Sequence, residues 1–137
     1  MTNYHDWDFV YVILYCQNLI EKKTIIMKPL YNDFLTIARD IVEANCDDES
    51  FGCPALCEAL KMSRSHVHRK LIEETSLCCS EFIQKVRLGK AMELLINTNH
   101  PIYEVAFKVG YSDANYFSRS FSKVYGFPPS HCRQISA

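Results

Sequence analysis

Between Ile102 and Arg133 the apolar positions recur at helical spacing on both sides of one break: Val105, Ala106 and Val109 before it, Phe117, Phe121 and Val124 after it, with Val109-Gly110-Tyr111-Ser112 in between. The pattern predicts two short helices and a tight join. Gly110 takes positive φ without the strain that a side chain brings, and the Ser112 hydroxyl is expected to cap the second helix, so the join reads as a helix-turn-helix. With Phe117, Phe121 and Val124 buried, a turn of about 100° per residue sends Ser112, Asn115, Ser118, Arg119 and Ser122 outward. All five are polar and none is acidic.

The same periodicity runs upstream. Phe34, Ile37, Ala38 and Ile41 are spaced as the inner face of a helix from Asp33, its expected cap, to about Asn45. After the acidic loop Cys46 to Ser50, Pro54 suits the first turn of a helix with Leu56, Cys57 and Leu60 inward. Met62-Ser63 breaks it, and Ser63 caps a helix to about Thr75 with Val67 and Leu71 inward. This is a second helix-turn-helix, and its residues match the other by offset. Cys57 and Ala106, Lys61 and Gly110, Met62 and Tyr111, and Ser63 and Ser112 lie forty-nine apart. After one inserted residue the offset is fifty, pairing Val67 with Phe117, Arg69 with Arg119 and Leu71 with Phe121. The outward residues pair too, Ser65 with Asn115 and His68 with Ser118, as expected of a duplicated unit carrying two recognition helices.

Ser80 to Asn97 reads as one long helix between the units, about 27 Å at 1.5 Å per residue, with Phe82, Ile83, Val86, Ala91, Leu94 and Leu95 facing both. Asn99-His100-Pro101 ends it, and Pro101 can open the next helix. The expected fold is therefore all-α, two helix-turn-helix subdomains on a long central helix, about seven helices over residues 33–137, with residues 1–32 as a short N-terminal appendage. There FVYVILYC suits a buried strand or a buried helix, and Thr24-Ile25-Ile26-Met27-Lys28-Pro29-Leu30 resembles the last strand and Lys-Pro turn of a response-regulator receiver.

The segment IYEVAFKVGYSDANYFSRSFSKVYGFPPSHCR resembles the C-terminal half of an AraC/XylS-type DNA-binding domain, on Ala106, Gly110, Tyr111, Tyr116, Phe117, Phe121, Gly126, Pro129 and Arg133. LCEALKMSRSHVHRKL and FIQKVRLGKAMELL resemble the first half. The chain departs from that pattern at Cys132, where an aromatic residue is usual, at Cys57 for Ala, at Lys61 for the turn Gly, and at Ser76 and Cys79 where Gly and Pro are common. Lys61 implies either a turn without positive φ or a small strain. The resemblance covers about Phe34 to Arg133.

Charge sharpens this reading. Through Met62 there are five Lys or Arg against ten Asp or Glu, and from Ser63 onward ten against six, so a polyanionic partner is favoured at the C-terminal half. At 137 residues the chain suits one domain with an appendage, and its 48% apolar content is that of a globular protein. No apolar run is long enough to span a membrane. Seven cysteines with no secretory signal fit reduced thiols in a cytoplasm. Cys53 and Cys57, with Cys46 nearby, lack the usual ligand spacing, and His66 and His68 point to different sides of a helix, so no metal and no cofactor are expected.

The DNA-contacting residues expected are Ser63, Arg64, Ser65, His68 and Arg69 in the first unit, and Ser112, Asn115, Tyr116, Ser118 and Arg119 in the second. An Arg guanidinium meets guanine O6 and N7 at two points, which discriminates by about 1–3 kcal/mol. Arg69 and Arg119 lead on that ground, with phosphate contact or pairing to a carboxylate as the other roles open to them. Capped helix N-termini favour phosphate. The resemblance implies a bacterial transcription regulator, more often an activator, acting on double-stranded DNA beside RNA polymerase. It would be either a small stand-alone regulator or the output module of a larger sensor regulator, as monomer or dimer. Two other classes stay open, a thiol-dependent or redox protein and a protein-interaction module on this fold; no cysteine has a base partner by spacing to support the first, and the outward arginines and acid-free recognition faces argue against the second.

Overall fold

A computed structural model describes residues 33–136 of the chain, and the expectations for residues 1–32 lie outside them. Seven helices follow one another: α1 Asp33–Ala44, α2 Cys53–Leu60, α3 Arg64–Thr75, α4 Cys79–Asn97, α5 Ile102–Lys108, α6 Ala114–Tyr125 and α7 Pro129–Ser136. No strand occurs among the described residues. The fold is all-α, two helix pairs on a central helix.

The 19 residues of α4 extend about 28 Å, and α2, α3, α5 and α7 all pack against that one rod. Phe82, Ile83, Val86, Leu88, Ala91, Met92 and Leu95 are buried along it, and burial reaches round enough of its circumference to include Lys85 and Arg87. Gly89 is buried too. Leu94, expected inside, is only half-buried.

Each helix pair contributes its own apolar plug to this core. Leu56, Val67 and Leu71 are sealed in the first, and Val105, Ala106, Val109, Phe117 and Phe121 in the second. Rings continue the second plug from Tyr111 to Phe117 at 5.4 Å, Phe117 to Phe121 at 5.9 Å and Phe121 to Tyr125 at 4.7 Å. Offset aromatic pairs of this kind add to the burial itself. Val124, placed inside by periodicity, is half-buried where α6 nears its end. Cys132 fills the place of the expected aromatic residue, almost fully buried with its Sγ 3.3 Å from Met92 Sδ. Arg133 donates to the His100 carbonyl and ties α7 to the start of the second pair.

Two expectations for α1 need correction. Asp33 is the first residue of the helix rather than the residue before it, and Ile37 is 51% exposed while Val42 is fully buried. Ala38 and Val42 form the inner edge of the helix. Periodicity found an apolar stripe, but the stripe is wider than the contact, and tertiary packing chose which edge faces the core.

Candidate nucleic-acid interface

Both joins fold the same way. In the first, Lys61 N–H donates to Glu58 O and Met62 N–H to Cys57 O; in the second, Gly110 N–H donates to Phe107 O and Tyr111 N–H to Ala106 O. The four residue pairs are forty-nine apart, and Lys61 and Gly110 both sit at positive φ, 55° and 88°. Lys61 therefore adopts the left-handed turn and carries its small strain. The alternative of a turn without positive φ is excluded.

The caps correct the alignment. Ser63 Oγ accepts from His66 N–H at 3.2 Å, as expected for α3. In the second unit the cap is Asp113, whose Oδ1 accepts from Asn115 and Tyr116 N–H at 2.8 and 3.3 Å. Ser63 and Asp113 are fifty apart, as are the helix ends at Ser76 and Gly126, both left-handed. The inserted residue thus falls between turn and cap, and it is Ser112. Having no capping position to fill, its hydroxyl reaches across to Glu49 Oε1 at 2.9 Å. A carboxylate also binds the partial positive charge of a helix N-terminus better than a hydroxyl does.

On α3, Arg64, Ser65, His68 and Arg69 are exposed, and so is the cap Ser63. On α6, Asn115 and Arg119 are exposed, Tyr116 is 53% exposed with its ring 5.8 Å from that of Tyr111, and Ser118 is half-buried. Ser112 is exposed before the cap. Neither Arg69 nor Arg119 forms an ion pair among the described residues. Two free guanidiniums, one on the second helix of each pair, can each donate two parallel hydrogen bonds to oxygen or nitrogen acceptors.

Arg87 was not anticipated. On α4, almost fully buried, its Nη1 donates to Cys46 O at 3.0 Å and Val109 O at 2.9 Å, and its Nη2 to Asp48 O at 2.9 Å and Phe51 O at 3.0 Å. Four carbonyls supply the hydrogen bonds that a buried cation needs. They belong to the loop entering α2 and to the turn between α5 and α6. The charge also helps to hold the Asp48 carboxyl below its usual range, after the hydrogen bonds from Ser50. The signal in the sequence was its register, four residues from Ile83 and four from Ala91 on the face assigned to the core.

Beside this clamp lies an open cleft of about 470 Å³, edged by Glu49, Glu81, Gln84, Tyr111 and Tyr116. Its two carboxylates make it unsuited to phosphate. Burial raises the Tyr111 hydroxyl above its usual range. Cys79, rather than Cys46, lies beside Cys53 and Cys57, and burial raises it strongly. Cys46 lies instead near Arg87 and Lys90, pushed up to about 11 by burial.

The helix-turn-helix domain family matches residues 56–135. The transcriptional activator RhaR of Mannheimia succiniciproducens is 33% identical over 85 residues, 62% of this chain and 31% of that protein. Histidine kinase P4 of Formosa agariphila is 32% identical over 111 residues, 81% of this chain and 8% of the kinase. The chain thus spans less than a third of either relative. Among solved structures, the C-terminal domain of AraT, a response regulator from Geobacillus stearothermophilus, superimposes with a TM-score of 0.66 at 28% identity, over 77% of this chain and 88% of that one.

Proposed function

The chain belongs to the AraC-type helix-turn-helix family, and from that membership we propose that it is a sequence-specific, double-stranded DNA-binding transcription regulator that inserts α3 and α6 into successive major grooves. One observation carries the reading: two joins of matching geometry present two recognition helices, each with an exposed arginine at the same station and no ion pair among the described residues to occupy it. Arg69 and Arg119 read base edges. Ser65, His68, Asn115 and Ser118 supply the shorter contacts, while Ser63, Arg64, Ser112 and Tyr116 meet the backbone at the groove edge. Because the two helices differ in sequence, one chain reads an asymmetric site of roughly 20 base pairs, its two blocks about one helical turn or 34 Å apart.

From the likeness to RhaR, named an activator, we infer that the regulator activates transcription, and we propose that it does so beside RNA polymerase. The matches to a histidine kinase and to a response regulator's C-terminal domain favour a second reading of the context, in which this module is the DNA-binding output of a signalling protein. Residues 33–137 are the DNA-binding module in both. No helix among the described residues is long and apolar enough to cross a membrane, and we place the protein's work on DNA in the cytoplasm.

Selection of bound sequences from a random duplex library tests the proposal, with the full chain and with Arg69→Ala and Arg119→Ala. The expected result is an asymmetric two-block motif in which each substitution erases information in one block only, at a cost of about 1–3 kcal/mol on the intact site. Absence of any enriched motif at moderate salt would overturn it.

A further inference from the structure

We infer that Arg87 is a positioning residue for DNA recognition: by clamping the loop that enters the first helix pair to the turn of the second, it fixes how far apart, and at what angle, the two recognition helices stand. The inference rests on the DNA-binding reading proposed above and adds what sets the spacing of the site.

Apolar packing on α4 holds each pair in place but is non-directional, so by itself it leaves the pairs some freedom to rock about the rod. Hydrogen bonds weaken steeply with misalignment and supply the missing direction. Arg87 makes four of them, from one planar fork, to backbone on both sides. Cys46, Asp48 and Phe51 carbonyls lie on the segment running into Cys53, the first residue of α2; the Val109 carbonyl lies at the end of α5, one residue before the left-handed Gly110. The fit is close. A Cβ on Gly110 would come within 1.5 Å of Arg87 Nη1 and 2.6 Å of the Cys46 carbonyl, so guanidinium, loop and turn meet with no space for a methyl group. The Ser112 to Glu49 hydrogen bond makes a second tie between the same loop and the same unit, two residues before α6 begins. A cation used only for its charge would not need four acceptors arranged to match the fork, and no carboxylate within ion-pair distance of it occurs among the described residues.

Arg87→Lys separates geometry from charge. The ammonium keeps the charge, but its three donors diverge from one point and cannot span four carbonyls. Binding by the full chain is measured on duplexes carrying both selected blocks, at the selected spacing and with one base pair inserted or removed between them. One base pair turns the second block by about 35°, and the wild type is expected to lose about tenfold or more in affinity. Arg87→Lys is expected to cut that penalty to about threefold while the sequence preferred within each block is unchanged. Thermal unfolding confirms that the variant is folded. Should it not fold, one glycine inserted between the exposed residues Glu49 and Ser50 slackens the same tie with Arg87 in place, and the same relaxation is expected. A folded variant of either kind with the wild-type spacing penalty overturns the inference while leaving the DNA-binding reading intact. A wild type that selects no two-block motif withdraws both.

Discussion

Gly110 and Lys61 occupy equivalent turn positions, yet only one of them has to be glycine. Both are left-handed, a conformation that costs a residue with a side chain about 1–2 kcal/mol. Lys61 is exposed and bears only that cost. Gly110 faces Arg87 and the Cys46 carbonyl at distances no Cβ tolerates. Gly126 is left-handed as well, at 82°, but a Cβ there would meet nothing within 4 Å. Gly126→Ala is therefore expected to lower stability by about 1 kcal/mol, from backbone strain alone, and Gly110→Ala by roughly 3 kcal/mol, with steric conflict added. Urea denaturation of the two variants checks this, and equal losses would mean that the contact with Arg87 is not made. The need for glycine at position 110 was legible in the sequence as a turn signal. Its second cause was not, since Arg87 lies twenty-three residues earlier in the chain.

At the scale of the helix, the start of α6 decides how the second recognition helix is presented. The residue that looked like a cap by analogy with Ser63 is displaced by one, and Asp113 takes the two orphan amides of the first turn. Removing a side-chain cap costs about 1 kcal/mol, so Ser63→Ala and Asp113→Ala should each lower stability by that amount. Ser112→Ala, which removes an exposed hydrogen bond to Glu49, should change it by less than about 0.5 kcal/mol. A larger loss for Ser112→Ala than for Asp113→Ala would return the cap to Ser112. The difference arose because offset matching locates an insertion only between recognisable anchors. Tyr111 and Phe117 bracket five positions in which several placements of one extra residue fit equally well.

For the molecule as a whole, α4 is the common support, and the groups buried against it make stability sensitive to alkali. Burial pushes the Cys46 thiol from 9.0 up to about 11 and raises the Tyr111 hydroxyl above 10.0. An acid whose pKa is raised by folding loses its proton first in the unfolded chain. The unfolded state then binds fewer protons, and stability falls as pH rises. Below the thiol's unfolded value of 9.0 the neutral forms prevail in both states and no loss is expected; the loss from Cys46 accumulates between 9.0 and about 11. Urea midpoints at pH 7.5 and pH 10 under reducing conditions should show the decline, and Cys46→Ala should make it shallower. A thiol that burial keeps protonated is also a poor nucleophile near neutrality.

The sequence by itself determined the helices, most of their buried positions and the duplication, because those depend on neighbours three to four residues away and on turn residues at fixed offsets. It also placed Ser65, His68, Arg69, Asn115 and Arg119 on the outer faces, since a buried apolar stripe fixes the opposite side, whereas Ser118 and Ser122, expected there too, are half-buried. Tertiary structure alone decided which edge of α1 faces the core, which residue caps α6, and that an arginine on the central helix is buried. The last of these turns on groups far apart in the chain meeting at hydrogen-bond distance, as Arg87 meets Cys46 and Val109. Periodicity carries no record of such meetings: register set Arg87 on the core face, but not which carbonyls would meet it there.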